Sequence, residues 1–237
     1  MVPLNPSDLI ALWEQGRTRH AIDRALLLFA AARPDLPADR LADLPLGQRN
    51  AALLRLRQAT FGPEIRAYLD CPGCRERMEL ALRVEMFLPH EGEAFAGGEL
   101  ESEGFRFRVP TSRDLAALLG HKDVSSAAED LLTRCCIVRP EGAPASSLPG
   151  LLETIEKELE ARDPCANIEL SLVCKTCAHA WAAPFDIAAV LWDEVEAGAR
   201  ALLATVHTLA RAYGWSERDV LALSTQRRAA YLDMVTA

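Results

Sequence analysis

Two cysteine pairs constrain this chain more than any other feature. Cys71-Pro-Gly-Cys74 opens the run CPGCRERMELALRVEMFL, and Cys174-Lys-Thr-Cys177 opens CKTCAHAWAAPFDIAAVL. Laid one under the other without a gap, Cys71 falls on Cys174 and Cys74 on Cys177. Beyond them Met78 falls on Trp181, Leu82 on Phe185, Val84 on Ile187 and Leu88 on Leu191. One short motif has been used twice. A Cys-x-x-Cys turn aims both sulfurs at a single point and so presents one edge of a tetrahedron, and two such turns supply all four corners. Four thiolates at about 2.3 Å form the closed, structural type of zinc site, with no open position for water or substrate. Soft sulfur ligands also favour zinc over hard cations such as magnesium. Cys71, Cys74, Cys174 and Cys177 are therefore the candidate ligands of a structural Zn2+ ion. Two unrelated turns with buried thiols would leave the matching apolar positions without a cause.

The remaining cysteines do not compete. The total of seven is odd, and in a reducing compartment pairing as disulfides is disfavoured, which leaves metal binding or burial. Cys135, Cys136 and Cys165 have no matching partners and read as core fillers. His179, two positions past Cys177, is the rival ligand, but its spacing suits a solvated turn better.

Around the pairs the apolar period is two. Met78, Leu80, Leu82, Val84 and Met86 predict a half-buried strand over about 76–86, and Phe105, Phe107 and Val109 predict another. NIELSLVC alternates Ile168, Leu170 and Leu172 into the second pair, with HAWAAPFDI as its hairpin partner. Elsewhere the period is helical. Ser7 and Thr18 are candidate caps for the first two helices, a third is expected over 46–59, and Thr111 or Ser112 can cap a further one with Asp114 as its capping-box carboxylate. Further helices are expected over about 126–138, carrying Cys135 and Cys136, and over about 149–161. A long apolar stripe runs from Leu191 through Val195, Ala199, Leu202, Val206 and Leu209 to Tyr213, followed by two short helices capped by Ser216 and Ser224. The expected fold is α+β and mostly α-helical, with a small zinc-ribbon-like β unit built from two Cys-x-x-Cys hairpins. Its parts are a helical region over 1–70, a first strand unit with following helices over 71–138, a linker over 139–150, a second strand unit over 151–191 and a helical region over 192–237. All belong to one compact domain.

Composition excludes several functions. A net charge of -8 and a pI near 5.2 disfavour a protein that holds a phosphate backbone. No apolar run approaches the roughly 20 residues of a bilayer span, and the first residues lack an export signal, so a cytoplasmic location is expected. Walker, Gly-x-Gly-x-x-Gly, Gly-x-Ser-x-Gly and His-Glu-x-x-His motifs are all missing, and HEGEAF at 90–95 reads as a solvated loop. Neither an enzyme nor a small-molecule substrate is expected.

The run LWDEVEAGARALLATVHTLARAYGWSERDVLALSTQRRAAYLDMV, the segment LPLGQRNAALLRLRQATFG and the two cysteine pairs together resemble one family. It is that of the baseplate-associated proteins encoded with contractile phage tails and the related bacterial contractile injection systems. The most telling part is AYGWSERDVLALSTQRRAAYL, where Gly214-Trp215-Ser216 turns between helices. The resemblance implies a non-enzymatic structural or assembly component whose partners are other baseplate or tail proteins. It places the chain in the bacterial cytoplasm or in a phage-tail-like particle. Trp215, Arg227, Arg228 and Tyr231 are then the candidate contact residues. The alternative expectation is a zinc-ribbon nucleic-acid-binding protein, and a zinc-dependent enzyme is a further rival.

Overall fold

A computed structural model describes residues 1–88, 98–140 and 151–236. The chain begins with helices α1 (Pro6–Gly16), α2 (Ala21–Ala32), α3 (Ala38–Leu41) and α4 (Leu46–Phe61). Strands β1 (Glu64–Asp70) and β2 (Arg77–Arg83) follow as an antiparallel hairpin. Next come β3 (Leu100–Ser102), β4 (Phe105–Phe107), α5 (Ser112–Ala117), α6 (Val124–Cys135) and β5 (Cys136–Val138), with the three strands forming a sheet in the order β3-β4-β5. After α7 (Leu152–Arg162), β6 (Glu169–Val173) and β7 (Ala180–Pro184) make a second antiparallel hairpin. The chain ends with α8 (Ile187–Tyr213), α9 (Glu217–Ala222) and α10 (Thr225–Thr236). The class is α+β with small sheets, as the two apolar periods predict.

The main core draws on both ends of the sequence. Leu28 and Phe29 of α2, Leu53, Leu54 and Leu56 of α4, and Ile187, Leu191 and Val195 of α8 are buried together, and the hairpins add Ile65, Leu82 and Leu170. Inside it Arg57 of α4 is paired with Glu194 of α8, its Nη2 donating to Oε1 at 2.6 Å. A satellite core of Leu100, Phe105, Phe107, Leu132 and Ile155 joins the central sheet to α6 and α7. Further along, the second half of α8 packs Val206 and Leu209 on Val220 of α9. Gly214 closes α8 in the left-handed conformation at φ 70°, which a side chain would disfavour. Ser216 and Asp219 then cap α9 reciprocally.

Several boundaries differ from the expected ones. Asn5, not Ser7, caps α1, because Pro6 fits the first helical position and Asp8 completes a capping box with Asn5. His20, not Thr18, caps α2 by accepting from the Ile22 N–H. Helix α6 ends at Cys135 rather than running to 138, since Cys136 and Val138 pair with Phe107 and Arg106 of β4. Strand β2 stops at Arg83, where Val84–Met86 tighten into a 3-10 turn. The Thr111–Asp114 capping box is present, reinforced by Arg108, which donates to both Asp114 carboxylate oxygens at 2.6 and 2.8 Å. Positions 141–150 of the linker and all of HEGEAF lie outside the described residues. No described helix is long and apolar enough to cross a membrane.

Candidate metal centre

Each cysteine pair occupies the turn of a hairpin. In the first, Leu69 faces Met78 and Asp70 faces Arg77; in the second, Leu172 faces Trp181 and Val173 faces Ala180. These are the same pairings under the alignment of the two motifs, so the repeat extends from side chains to strand register. It extends to the turn backbone as well. The Cys71 N–H donates to the Glu76 carbonyl and the Arg75 N–H to the Cys71 carbonyl, both at 2.8–2.9 Å; Cys174 with His179, and Ala178 with Cys174, repeat the two bonds at 2.9 Å. Arg75 and Ala178 occupy equivalent positions in the left-handed region, at φ 62° and 57°. That conformation turns the chain sharply after the second cysteine, bringing its sulfur round beside the first.

The four sulfurs converge. All lie within 4.8 Å of one another, an arrangement that can hold a metal ion. The two closest approaches cross between the hairpins, Cys71 Sγ to Cys177 Sγ and Cys74 Sγ to Cys174 Sγ, each at 3.7 Å. Exchanging the two hairpins maps one contact onto the other, which is the signature of a pseudo-twofold axis through the cluster. A tetrahedron with metal–sulfur bonds of about 2.3 Å has edges of about 3.8 Å. In each pair the first cysteine is buried and the second exposed, so the cluster sits at the surface with one face sealed by protein.

The backbone favours an ionised sulfur at Cys174, whereas the Cys74 and Cys177 thiols are raised by their neighbours and by burial. N–H groups of Cys177 and Thr176 bring the Cys174 thiol down to about 6. At Cys74 the Glu76 N–H pulls the same way but is outweighed by the Cys177 sulfur, burial and the other thiols, and the group is pushed up to about 12. One thiolate at this spacing opposes the next, and a cation at the centre lets all four ionise together. Four protein ligands complete a tetrahedron, so such a centre fixes structure and offers no site for substrate.

His179 is not in the cluster. It is exposed and stacks on Trp181 with ring centroids 5.9 Å apart, while its Cβ and Cγ lie against Gly73 of the other hairpin. A Cβ at Gly73 would stand 3.2 Å from that ring and 3.5 Å from Cys177 Sγ, so the small residue lets the hairpins close. Cys135 and Cys165 are buried, as expected of core fillers, and burial raises their thiols to about 12 and about 11. Cys136 is only half-buried, in β5.

The candidate contact residues gather at the far end of α8 but do not act alike. Trp215 packs edge-on to Tyr231 at 4.8 Å and stacks with Tyr213 at 4.7 Å. Tyr213, the last residue of the expected apolar stripe, is exposed and completes this aromatic group. Arg227 is exposed, whereas Arg228 is buried with 7% exposure and its Nη1 has no partner among the described residues. Arg228 is thus largely withdrawn from the surface.

No protein-family model, curated protein or solved structure matches this chain.

Proposed function

We propose that this chain is a non-enzymatic structural or assembly component of a contractile phage-tail or injection-system baseplate, stiffened by a structural zinc ion. Cys71, Cys74, Cys174 and Cys177 hold the ion in a zinc-ribbon-like pair of hairpins. The observation that carries the zinc assignment is the crossed pair of 3.7 Å sulfur approaches between hairpins from opposite halves of the chain. Soft sulfur donors and tetrahedral spacing select zinc among common divalent ions, although iron accepts the same geometry. Elemental analysis of protein purified under reducing conditions therefore decides the ion: one zinc per chain is expected, and iron or no metal would overturn the assignment.

The baseplate reading rests on the resemblance of the Gly214-Trp215-Ser216 region, the 44–62 segment and the cysteine pairs. It is supported by the four-cysteine cluster, which once filled by a metal would be closed and would suit a rigid building block rather than a catalyst. The aromatic group of Tyr213, Trp215 and Tyr231, with exposed Arg227 beside it in sequence, is the proposed contact surface for other baseplate or tail proteins. Deleting the gene from its host and imaging the particles tests the role. Particles that lack baseplates, or stall before sheath assembly, are expected; particles with complete baseplates would rule it out.

A further inference from the structure

Beside the two hairpins lies a cleft of about 630 Å3. Leu82 of β2, with Phe87 and Leu88 just beyond it, forms one wall, and every residue from 167 to 172 along β6 forms the other. Successive side chains of a strand point to opposite faces, so an unbroken run of lining residues means that β6 turns its edge to the cleft. The Cys165 thiol donates to the Phe87 carbonyl at 3.1 Å and ties the walls together.

The main chain of that edge is open. The Phe185 N–H donates to the Ile168 carbonyl at 2.8 Å and the Cys174 N–H to the His179 carbonyl at 2.9 Å. With the strand register these bonds fix the phase of the ladder: Ile168, Leu170 and Leu172 bond to β7, and Glu169, Ser171 and Val173 turn their N–H and C=O groups the other way. Among the described residues no strand lies beyond β6. Proteins usually blunt such edges with charge or proline. The outer edge of β7 ends at Pro184, which has no N–H to offer. The same phase in the first hairpin puts Arg66 and Asp70 on the outer edge of β1, and Arg77 and Arg83 on that of β2. Only the β6 edge combines a neighbouring apolar cleft with a single charge. That charge, Glu169, is exposed, faces Pro184 across the ladder and pairs with no cation among the described residues. Val173, on the same face, is 60% exposed.

We propose that the β6 edge receives an extended segment of a partner protein as a third strand. The segment's main chain completes the ladder at Glu169, Ser171 and Val173. Its alternate side chains are apolar and enter the cleft against Leu82, Phe87 and Leu88, while the others face solvent and place a lysine or arginine opposite Glu169. Two observations select this occupant. A row of main-chain donors and acceptors is complementary to another extended backbone, and the acidic residue at its end lacks a counter-ion. A second copy of this chain fits less well: antiparallel pairing about Ser171 sets each Glu169 against Val173, leaves both carboxylates without a cation and joins two chains of net charge -8. The inference stands apart from the identity of the metal and from the baseplate reading, since it needs only the open edge and its cleft.

The test uses the full chain, isolated under reducing conditions and labelled with 15N, and the peptide acetyl-Lys-Leu-Thr-Leu-Thr-Leu-Lys-amide. Saturable shifts of the Glu169, Ser171 and Val173 amides are expected, with slowed exchange at Ser171. Two further peptides carry N-methyl groups, one on both threonines and the other on the last two leucines. Only one of these phases can aim its nitrogens at β6, so one version should lose at least about tenfold in affinity while the other stays close to the parent. Ser171→Pro removes an outward donor from an exposed position and should weaken the parent peptide to a similar extent. Glu169→Lys changes only an exposed side chain; it should weaken the parent several-fold and favour a version with glutamates in place of the lysines. No saturable shift over 169–173, or equal binding of both methylated versions, would overturn the proposal. So would a concentration-dependent dimer that protects the Ser171 amide without peptide, because the occupant would then be a second copy.

Discussion

Cys74 and Cys177 separate a metal site from mere thiol packing. Both are exposed, and an exposed thiol that only fills space is replaced by serine at a cost within about 0.5 kcal/mol. As ligands they are worth far more, because structural zinc contributes on the order of 10 kcal/mol in small domains and loses most of that when one thiolate is missing. Cys74→Ser is therefore expected to remove bound zinc and to lower Tm by on the order of 10 °C, a loss of several kcal/mol in a domain of this size. Elemental analysis and a thermal melt check it; a variant that keeps its metal and melts with the wild type would reject the tetrahedral site. A carboxylate elsewhere shows the same economy of position. Burial tends to raise the Asp114 carboxyl, but hydrogen bonds from Arg108 and Thr111 outweigh it and hold the group below its ordinary value near 3.8. A lowered carboxyl adds stability that is present above 3.8 and fades as pH falls through its lower folded value. Asp114→Ala should thus cost about 1–2 kcal/mol at neutral pH through the lost cap. The gap between the two Tm values should close on acidification; a gap unchanged down to pH values below the carboxylate range would contradict the charge-based account.

The two hairpins are where sequence and structure agree most closely. Alignment of the cysteine pairs predicted a shared layout downstream of the thiols, and β2 and β7 lie where it placed them. Strand β1 lies between the third helix expected over 46–59 and the strand expected over 76–86, in a segment that neither expectation covers. The signal was nevertheless in the chain: NIELSLVC lies upstream of the second pair, and carrying the same alignment backwards places EIRAYLD, with Ile65, Ala67 and Leu69 alternating, upstream of the first. What sequence could not reveal was distant partnership. Asp163 caps α4 from 116 residues away, and Arg57 meets Glu194 on another helix. Neither residue belongs to a local motif, so only the assembled fold brings them to their partners. The left-handed positions after each pair supply a prediction of their own. A non-glycine residue there costs roughly 1–2 kcal/mol, partly offset by the freedom glycine gains on unfolding. Arg75→Gly and Ala178→Gly should each stabilise the zinc-loaded protein by about 0.5–1 kcal/mol, raising Tm by a few degrees. If both variants melt lower, the backbone of the turns is not what holds those residues at positive φ.

The long separation of the two cysteine pairs acquires a purpose once the cores are compared. Everything between Cys74 and Cys174 forms a closed loop, and that loop contains the satellite core of Leu100, Phe105, Phe107, Leu132 and Ile155. Cross-linking a loop of about 100 residues restricts the unfolded chain by roughly 4–5 kcal/mol in the chain-entropy account worked out for disulfides. A metal staple at its base would act in the same direction. The satellite core is small, and it gains most from such a constraint. The helices of the main core gain least, since Leu28, Phe29, Leu53, Leu54 and Leu56 are buried among themselves and against α8. Removing the metal should consequently loosen the protein unevenly. Amide exchange after treatment with a zinc chelator under reducing conditions is expected to accelerate in β1, β2, β6 and β7 and in the loop segments 98–140 and 151–162. Helices α2 and α4 and the first half of α8 should stay protected, and zinc added back should restore the slow pattern. Uniform acceleration through every helix would mean that the metal holds the whole fold together. No acceleration at either hairpin would mean that it holds nothing, and in both cases the staple would have to be abandoned as the link between the two halves of the chain.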